Sequence, residues 1–275
     1  MVGMHSLIWR FLGNHVAKTG LNSVHLYKMS AGVCVKRLLL LQPRNDADAM
    51  ADHEMHCIQR RFGDAGVAVT AYQVVDSPAD VRWLDGMDGL IIGGSGDYSV
   101  HDPRSQKWVN PMRVVLDAAL KRGVPGFGLC FGHQLLGLHL GSSVVTDPEC
   151  EEVGTVTLPL TDTGRKDLLF QDFDDQLTCH TGHSDCVVDV PVGVDLLVTG
   201  NRTRCQAFRV RGTRFYSTQF HPDLSGAEAR ERYASNKRDI HGLVSPAVQQ
   251  RLEMYRKGQD ESNVLLHKFI DTLVD

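Results

Sequence analysis

The sequence predicts an α/β fold: a doubly wound, mostly parallel sheet with helices on both faces and an antiparallel extension. Three observations predict it. Short, nearly continuous apolar runs recur, as in strands buried on both faces, and up to Gly141 they alternate with amphipathic stretches of helical length. Beyond Gly141, strand-like runs follow one another with no helix between them. The first pattern calls for parallel strands with crossover helices, the second for antiparallel strands added to one side of that sheet.

Residues 35–41 make the first strand, apolar except for Lys36 and Arg37 and ended by Pro43. Residues 48–62 read as a helix, with Met50, Met55 and Ile58 near helical spacing and Gly63 and Gly66 closing it. Strands follow at 67–75 and 89–92, the latter entering a Gly93-Gly94-Ser95-Gly96 loop. A helix over 108–120 stops at Lys121, Arg122 and Gly123, and a strand at 124–129 leads into a short helix at 132–140. The helix-free region offers strands at 153–160, 177–187, 195–198, 205–210 and 214–219. Helices return at 227–240, after Ser245-Pro246, where a capping serine precedes proline at the first helical position, and over 263–273.

The 275 residues are 42% hydrophobic and 23% charged, a globular balance that excludes disorder over most of the length. With 29 Lys+Arg against 33 Asp+Glu the formal charge is -4, so nothing favours a nucleic-acid partner. No apolar run approaches the roughly 20 residues that span a bilayer, so no membrane partner is expected. The seven cysteines are odd in number and scattered, which predicts reduced thiols and a cytoplasmic location. Residues 1–45 lack Asp and Glu but carry Arg10, Lys18, Lys28, Lys36, Arg37 and Arg44. The expected division is an N-terminal extension at 1–34, disordered or a start-site artefact with a working start near Met29, and one domain over 35–275. A mitochondrial-type transit peptide is the less favoured reading of the same stretch.

Chemistry concentrates in two places. In Gly126-Phe127-Gly128-Leu129-Cys130-Phe131-Gly132-His133-Gln134 a buried strand runs into Cys130 and a helix leaves it, with glycine two residues away on each side. A nucleophile on a sharp strand-to-helix turn needs neighbours without side chains so that strand and helix can approach, and a helix N-terminus favours a thiolate. A buried core thiol or a loose dinucleotide-binding turn would also fit Cys130, although the true G-x-G-x-x-G spacing is missing. In the second place, a strand ends in Gln219-Phe220-His221-Pro222-Asp223, putting a carboxylate two residues after a histidine, as a general base with its orienting acid requires. Two other clusters give no metal site. Cys179, His180, His183 and Cys186 have spacings that match no closed zinc site, and His53, His56 and Cys57 lack the metalloprotease pattern.

The Gly-x-Cys-x-Gly-His-Gln elbow, the Gly-Gly-Ser-Gly loop, the segment His183-Ser184-Asp185-x-Val187 and Gln219-Phe220-His221-Pro222-Asp223 resemble, in order and rough spacing, the class I (triad-type) glutamine amidotransferase domain over about residues 37–224. The resemblance implies a flavodoxin-like doubly wound fold with Cys130 as nucleophile, His221 as general base and acid, and Asp223 as orienting carboxylate. It also implies an oxyanion hole from the backbone N–H groups of Gly94 and Phe131, and a glutamine or γ-glutamyl moiety held by Gln134 and by His183, Ser184 and Asp185. No cofactor is implied. The family usually has Glu where this chain has Asp223, one methylene shorter, which leaves a catalytically silent, ligand- or partner-binding relative as the alternative to an enzyme.

Family members usually pass ammonia to a synthetase. Neither G-x-x-x-x-G-K nor Ser-Gly-Gly-x-Asp-Ser occurs here, so the expectation is a stand-alone domain with a separate synthetase as a candidate partner. Residues 225–275 exceed the short closing helix that the family needs. Glu228, Arg230, Glu231, Arg232, Lys237, Arg238 and Asp239 read most simply as a solvated helical face; that part of the segment covers the site mouth or makes a subunit contact is the less favoured reading.

Overall fold

The structure, a computed structural model, describes residues 24–25, 35–63, 65–237 and 242–272. Twelve strands are present among them: β1 (Val24–His25), β2 (Lys36–Gln42), β3 (Val67–Gln73), β4 (Gly89–Ile92), β5 (Gly126–Leu129), β6 (Val144–Thr146), β7 (Glu152–Pro159), β8 (Gln176–His183), β9 (Asp185–Val187), β10 (Val194–Val198), β11 (Ala207–Val210) and β12 (Phe215–Thr218). The α-helices are α1 (Met50–Phe62), α2 (Gln106–Arg122), α3 (Phe131–His139), α4 (Gly226–Asn236), α5 (Pro246–Leu252) and α6 (Val264–Asp271). Apart from β1, which pairs antiparallel with β3, the expected extension at 1–34 lies outside the described residues.

Eight strands make one sheet in the order β1-β3-β2-β4-β5-β12-β11-β10. Strands β3, β2, β4, β5 and β12 run parallel, and β11 and β10 extend the sheet antiparallel. The alternation of side chains along a strand explains how β2 serves two cores at once. Leu38 and Leu40 pack with Ile58 and Phe62 of α1 and Phe269 of α6, whereas Leu39 and Leu41 pack with Val109, Met112 and Leu116 of α2 and Leu135 of α3. All four leucines are fully buried, which accounts for the uninterrupted apolar run.

Two expectations about the helix-free region are corrected. The strand ending near His221 is not an antiparallel addition: β12 pairs in parallel with β5, Phe215 opposite Gly126 and Thr218 opposite Leu129. The run at 177–187 is also not one strand. It breaks at Ser184, so that β8 pairs with β7 in one two-stranded sheet and β9 pairs with β6 in another. At the break, His183 Nδ1 lies 2.9 Å from the Asp185 carbonyl and ties the chain back on itself two residues on. Gly182, Ser184 and Asp185, all poor strand formers, mark the place in the sequence.

Candidate functional site

Because β5 and β12 are parallel neighbours, the residues just past their carboxyl ends lie side by side, where ligands bind in open α/β sheets. Cys130 follows β5 and His221 follows β12. The Cys130 N–H donates to the Thr218 carbonyl at 2.8 Å, tying one strand end to the other.

Cys130 sits at φ 49°, ψ −94°, the one positive-φ residue other than glycine among those described. Its flanking glycines are required by space. A Cβ on Gly128 would lie 2.7 Å from the Gly132 backbone, and one on Gly132 would lie 2.4 Å from the Ile92 carbonyl oxygen. The elbow therefore closes only with glycine at both positions, and Cys130 is the cap of α3, with the Phe131 N–H at the first helical position where no intrahelical partner exists.

His221 is buried, and its Nδ1 is 3.0 Å from Asp223 Oδ1. The shorter acid therefore reaches the imidazole. Burial disfavours a charged His221, but the Asp223 carboxylate, with Cys130 adding to it, outweighs this and raises the imidazole to about 9. Burial likewise works against the Asp223 anion, yet Arg232 and His221 hold its carboxyl well below the usual carboxylate range. The His221 N–H donates to the His180 carbonyl at 2.9 Å, and the His180 ring is itself held by Asp260 at 2.8 Å and Thr155 at 3.0 Å.

The other expected residues gather around this centre. Gly94 faces the histidine, since a Cβ there would come within 3.0 Å of His221 Cε1. Its N–H, expected to be open for an oxyanion, instead donates to Glu54 Oε1 at 2.9 Å. Gln134 donates to the Asp185 carbonyl at 3.0 Å and to Gln219 Oε1 at 3.3 Å, so its amide nitrogen is already engaged within the protein. His183 is buried against Glu152 at 3.2 Å and shapes the loop, while Ser184 is exposed and Asp185 half-buried. Of the cysteines and histidines on β8 and β9, Cys179 is in the core, and His180 and His183 have carboxylate partners.

Several contributors were missed in the sequence. Gln219 donates its amide to Cys130 Sγ at 3.6 Å. Glu54 is fully buried, and its carboxylate also accepts from Gln42 at 3.0 Å and Arg44 at 3.3 Å. Arg232 donates to Asp223 Oδ2 at 2.7 Å. Tyr233, Asn236 and Tyr255 of the C-terminal segment line the cleft beside Gly94 and His221. A signal for Glu54 existed: Ala51, Glu54, Met55 and Ile58 share the buried face of α1 at helical spacing, and a carboxylate in an apolar stripe calls for buried partners. The reading of α4 as a solvated face is corrected in the same way, because Glu228 and Arg232 are buried while Glu231 and Lys237 are exposed.

The fold and the strand–cysteine–helix elbow define an α/β protein with a candidate site beyond the carboxyl ends of the central parallel strands. Residues 50–240 match the family model for class I glutamine amidotransferase, and the chain belongs to that family. It is 27% identical over 226 residues to a GMP synthase [glutamine-hydrolyzing] of Porphyromonas gingivalis, a match that covers 79% of this chain and only 42% of that protein's length. Among solved structures, a glutamine amidotransferase from Thermotoga maritima superposes with a TM-score of 0.69 at 19% identity, covering 87% of this chain and 98% of the other. A glutamine amido transferase from Methylobacillus flagellatus gives 0.56 at 20% identity over 87% and 90%. The last two establish the fold. No helix among the described residues is long and apolar enough to cross a membrane.

Proposed function

We propose that this protein is a glutamine amidotransferase-type hydrolase that cleaves the side-chain amide of glutamine, or a γ-glutamyl amide, through a cysteinyl thioester. The observation that carries this is the pairing of His221 with Asp223 at 3.0 Å, beside a strained Cys130 on the adjacent strand end. The same bond supports an enzyme over a silent binding relative, because the aspartate meets the imidazole despite its shorter side chain.

In this reading the Cys130 thiolate forms a bond to the carboxamide carbon, and the C=O electron pair moves onto oxygen. The Phe131 N–H at the start of α3 faces that charge, and the Gly94 N–H joins it after exchanging its bond to Glu54 for one to the oxyanion; such donors contribute about 3 kcal/mol each. His221, positively charged near neutral pH, gives a proton to the nitrogen as the C–N bond breaks and ammonia leaves. His221 then takes a proton from water as it attacks the thioester, and collapse of that adduct releases glutamate and the thiolate. Asp223 holds Nδ1 and balances the imidazolium throughout. The side chain of Gln219 adds a donor to the sulfur. Ammonia goes to water or to a separate synthetase; the Porphyromonas gingivalis relative is named for glutamine hydrolysis within GMP synthesis, which supports the glutamine substrate class and a synthetase partner.

The test is ammonia release from glutamine by the purified protein together with covalent labelling by a diazoketone glutamine analogue. The expected result is turnover and labelling in the wild type and neither in Cys130→Ala. A wild type that neither releases ammonia nor labels overturns the reading.

A further inference from the structure

We infer that Arg232 is a positioning residue for the catalytic machinery, a clamp on Asp223 that lets an aspartate do the work of orienting His221. The inference rests on the glutaminase reading of the site and adds a residue behind its Cys130, His221 and Asp223 triad. Asp223 is fully buried, and its two oxygens are divided between two partners: Oδ1 meets His221 Nδ1 at 3.0 Å, and Oδ2 accepts from Arg232 Nη1 at 2.7 Å. With one oxygen on the imidazole and the other on the guanidinium, the plane of the carboxylate is fixed at both ends, which a short side chain bonded only to the histidine would not achieve.

Arg232 is itself held. Its side chain is buried, Nε and Nη2 lie 3.4 Å from His53 Nδ1, and Nη1 lies 3.9 Å from Glu54 Oε1. The helix that carries it is anchored where it begins. Ser225 and Glu228 form a reciprocal cap, Glu228 pairs with Arg60 and Arg61 of α1, and Asp260 accepts the Gly226 N–H at 2.8 Å. A surface arginine would swing freely, whereas this one is delivered to Asp223 by a helix pinned to the rest of the molecule. Its second carboxylate neighbour, Glu54, holds the Gly94 N–H, so one guanidinium joins the acid of the triad to the loop that faces the nucleophile.

The test compares wild type, Arg232→Met, Arg232→Lys, Asp223→Asn and the double variant Asp223→Asn with Arg232→Met, by kcat and KM for glutamine and by the rate at which iodoacetamide alkylates Cys130. If Arg232 acts through Asp223, Arg232→Met lowers kcat about 10²-fold with KM changed less than about two-fold, and Arg232→Lys recovers part of the loss. The decisive arm is the Asp223→Asn background, where Arg232→Met then changes kcat and alkylation less than about three-fold. Arg232→Lys keeps the comparison available if the methionine variant does not fold. Wild-type kcat and alkylation in Arg232→Met, or an equal loss with and without Asp223, overturns the inference. If the wild type hydrolyses no glutamine while alkylation follows the predicted pattern, the proposed function fails and the positioning role stands.

Discussion

Glu54 Oε1 accepts the Gly94 N–H at 2.9 Å, bringing a carboxylate from the middle of α1 to the glycine loop beyond β4. Glu54 is fully buried, and its neighbours Arg44 and Arg232 are almost so. Removing one partner of a buried ionic group leaves the others uncompensated, at about 3–5 kcal/mol. Glu54→Ala is therefore expected to lower unfolding stability by that amount in urea titrations. Glu54→Gln keeps an acceptor for Gly94 but loses the charge, so it is expected to recover only part of the loss, and a glutamine variant as stable as the wild type would show that the charge is irrelevant.

Stability should fall on the alkaline side of neutrality because of His221. Its folded value of about 9 exceeds its unfolded value of 6.5, so its contribution is complete below pH 6.5 and disappears as the pH rises through 9. The loss is on the order of 3 kcal/mol. Asp223, held below its ordinary range, acts in the opposite sense: its contribution is present above its unfolded value and is lost as pH falls through the folded one. Urea midpoints measured between pH 6 and 10 should decline in the wild type and stay flatter in His221→Ala.

Glycines in this chain differ in what they tolerate. Gly132→Ala drives a methyl group to 2.4 Å from a carbonyl oxygen at the elbow, and a loss above about 3 kcal/mol is expected because backbone cannot yield. Gly123, the left-handed cap of α2, has nothing within 4 Å of the place an alanine methyl would take, so Gly123→Ala should cost only about 1 kcal/mol. Thermal unfolding of the two variants separates steric exclusion from conformational preference.

Gln219 offers a prediction about turnover. Its amide nitrogen reaches Cys130 Sγ while its oxygen accepts from Gln134, so it ties Cys130 to the Asp185 loop. Gln219→Leu keeps volume and removes both bonds. An activity loss of about ten-fold is expected from one misplaced donor, with Cys130 alkylation also slowed. Unchanged rates would mean that the contact to sulfur is incidental.

The legible parts of this protein share a cause. Strands buried on both faces must be apolar along their whole length, so β2, β4 and β5 stood out, and the elbow stood out because a sharp turn forces glycines to fixed offsets around Cys130. His221 and Asp223 were visible for a similar reason, being two residues apart on one turn. What stayed hidden depends on residues far apart in the chain. Arg232 meets Asp223 only after α4 docks, and a charged helix reads as solvated unless its i, i+3, i+4 face is traced through Ala229, Arg232 and Tyr233. The break at Ser184 is a different case, since Gly182, Ser184 and Asp185 are poor strand formers and marked it locally.

Cys130 occupies a conformation in which glycine is at ease and every side chain is strained, at roughly 1–3 kcal/mol. Position 130 is thus one where folding and chemistry favour different residues. Selection for stability alone would move it toward glycine, and a Cys130→Gly protein should withstand more denaturant than Cys130→Ala while being equally inert. A sulfur atom at this turn is a residue kept against the preference of its own backbone.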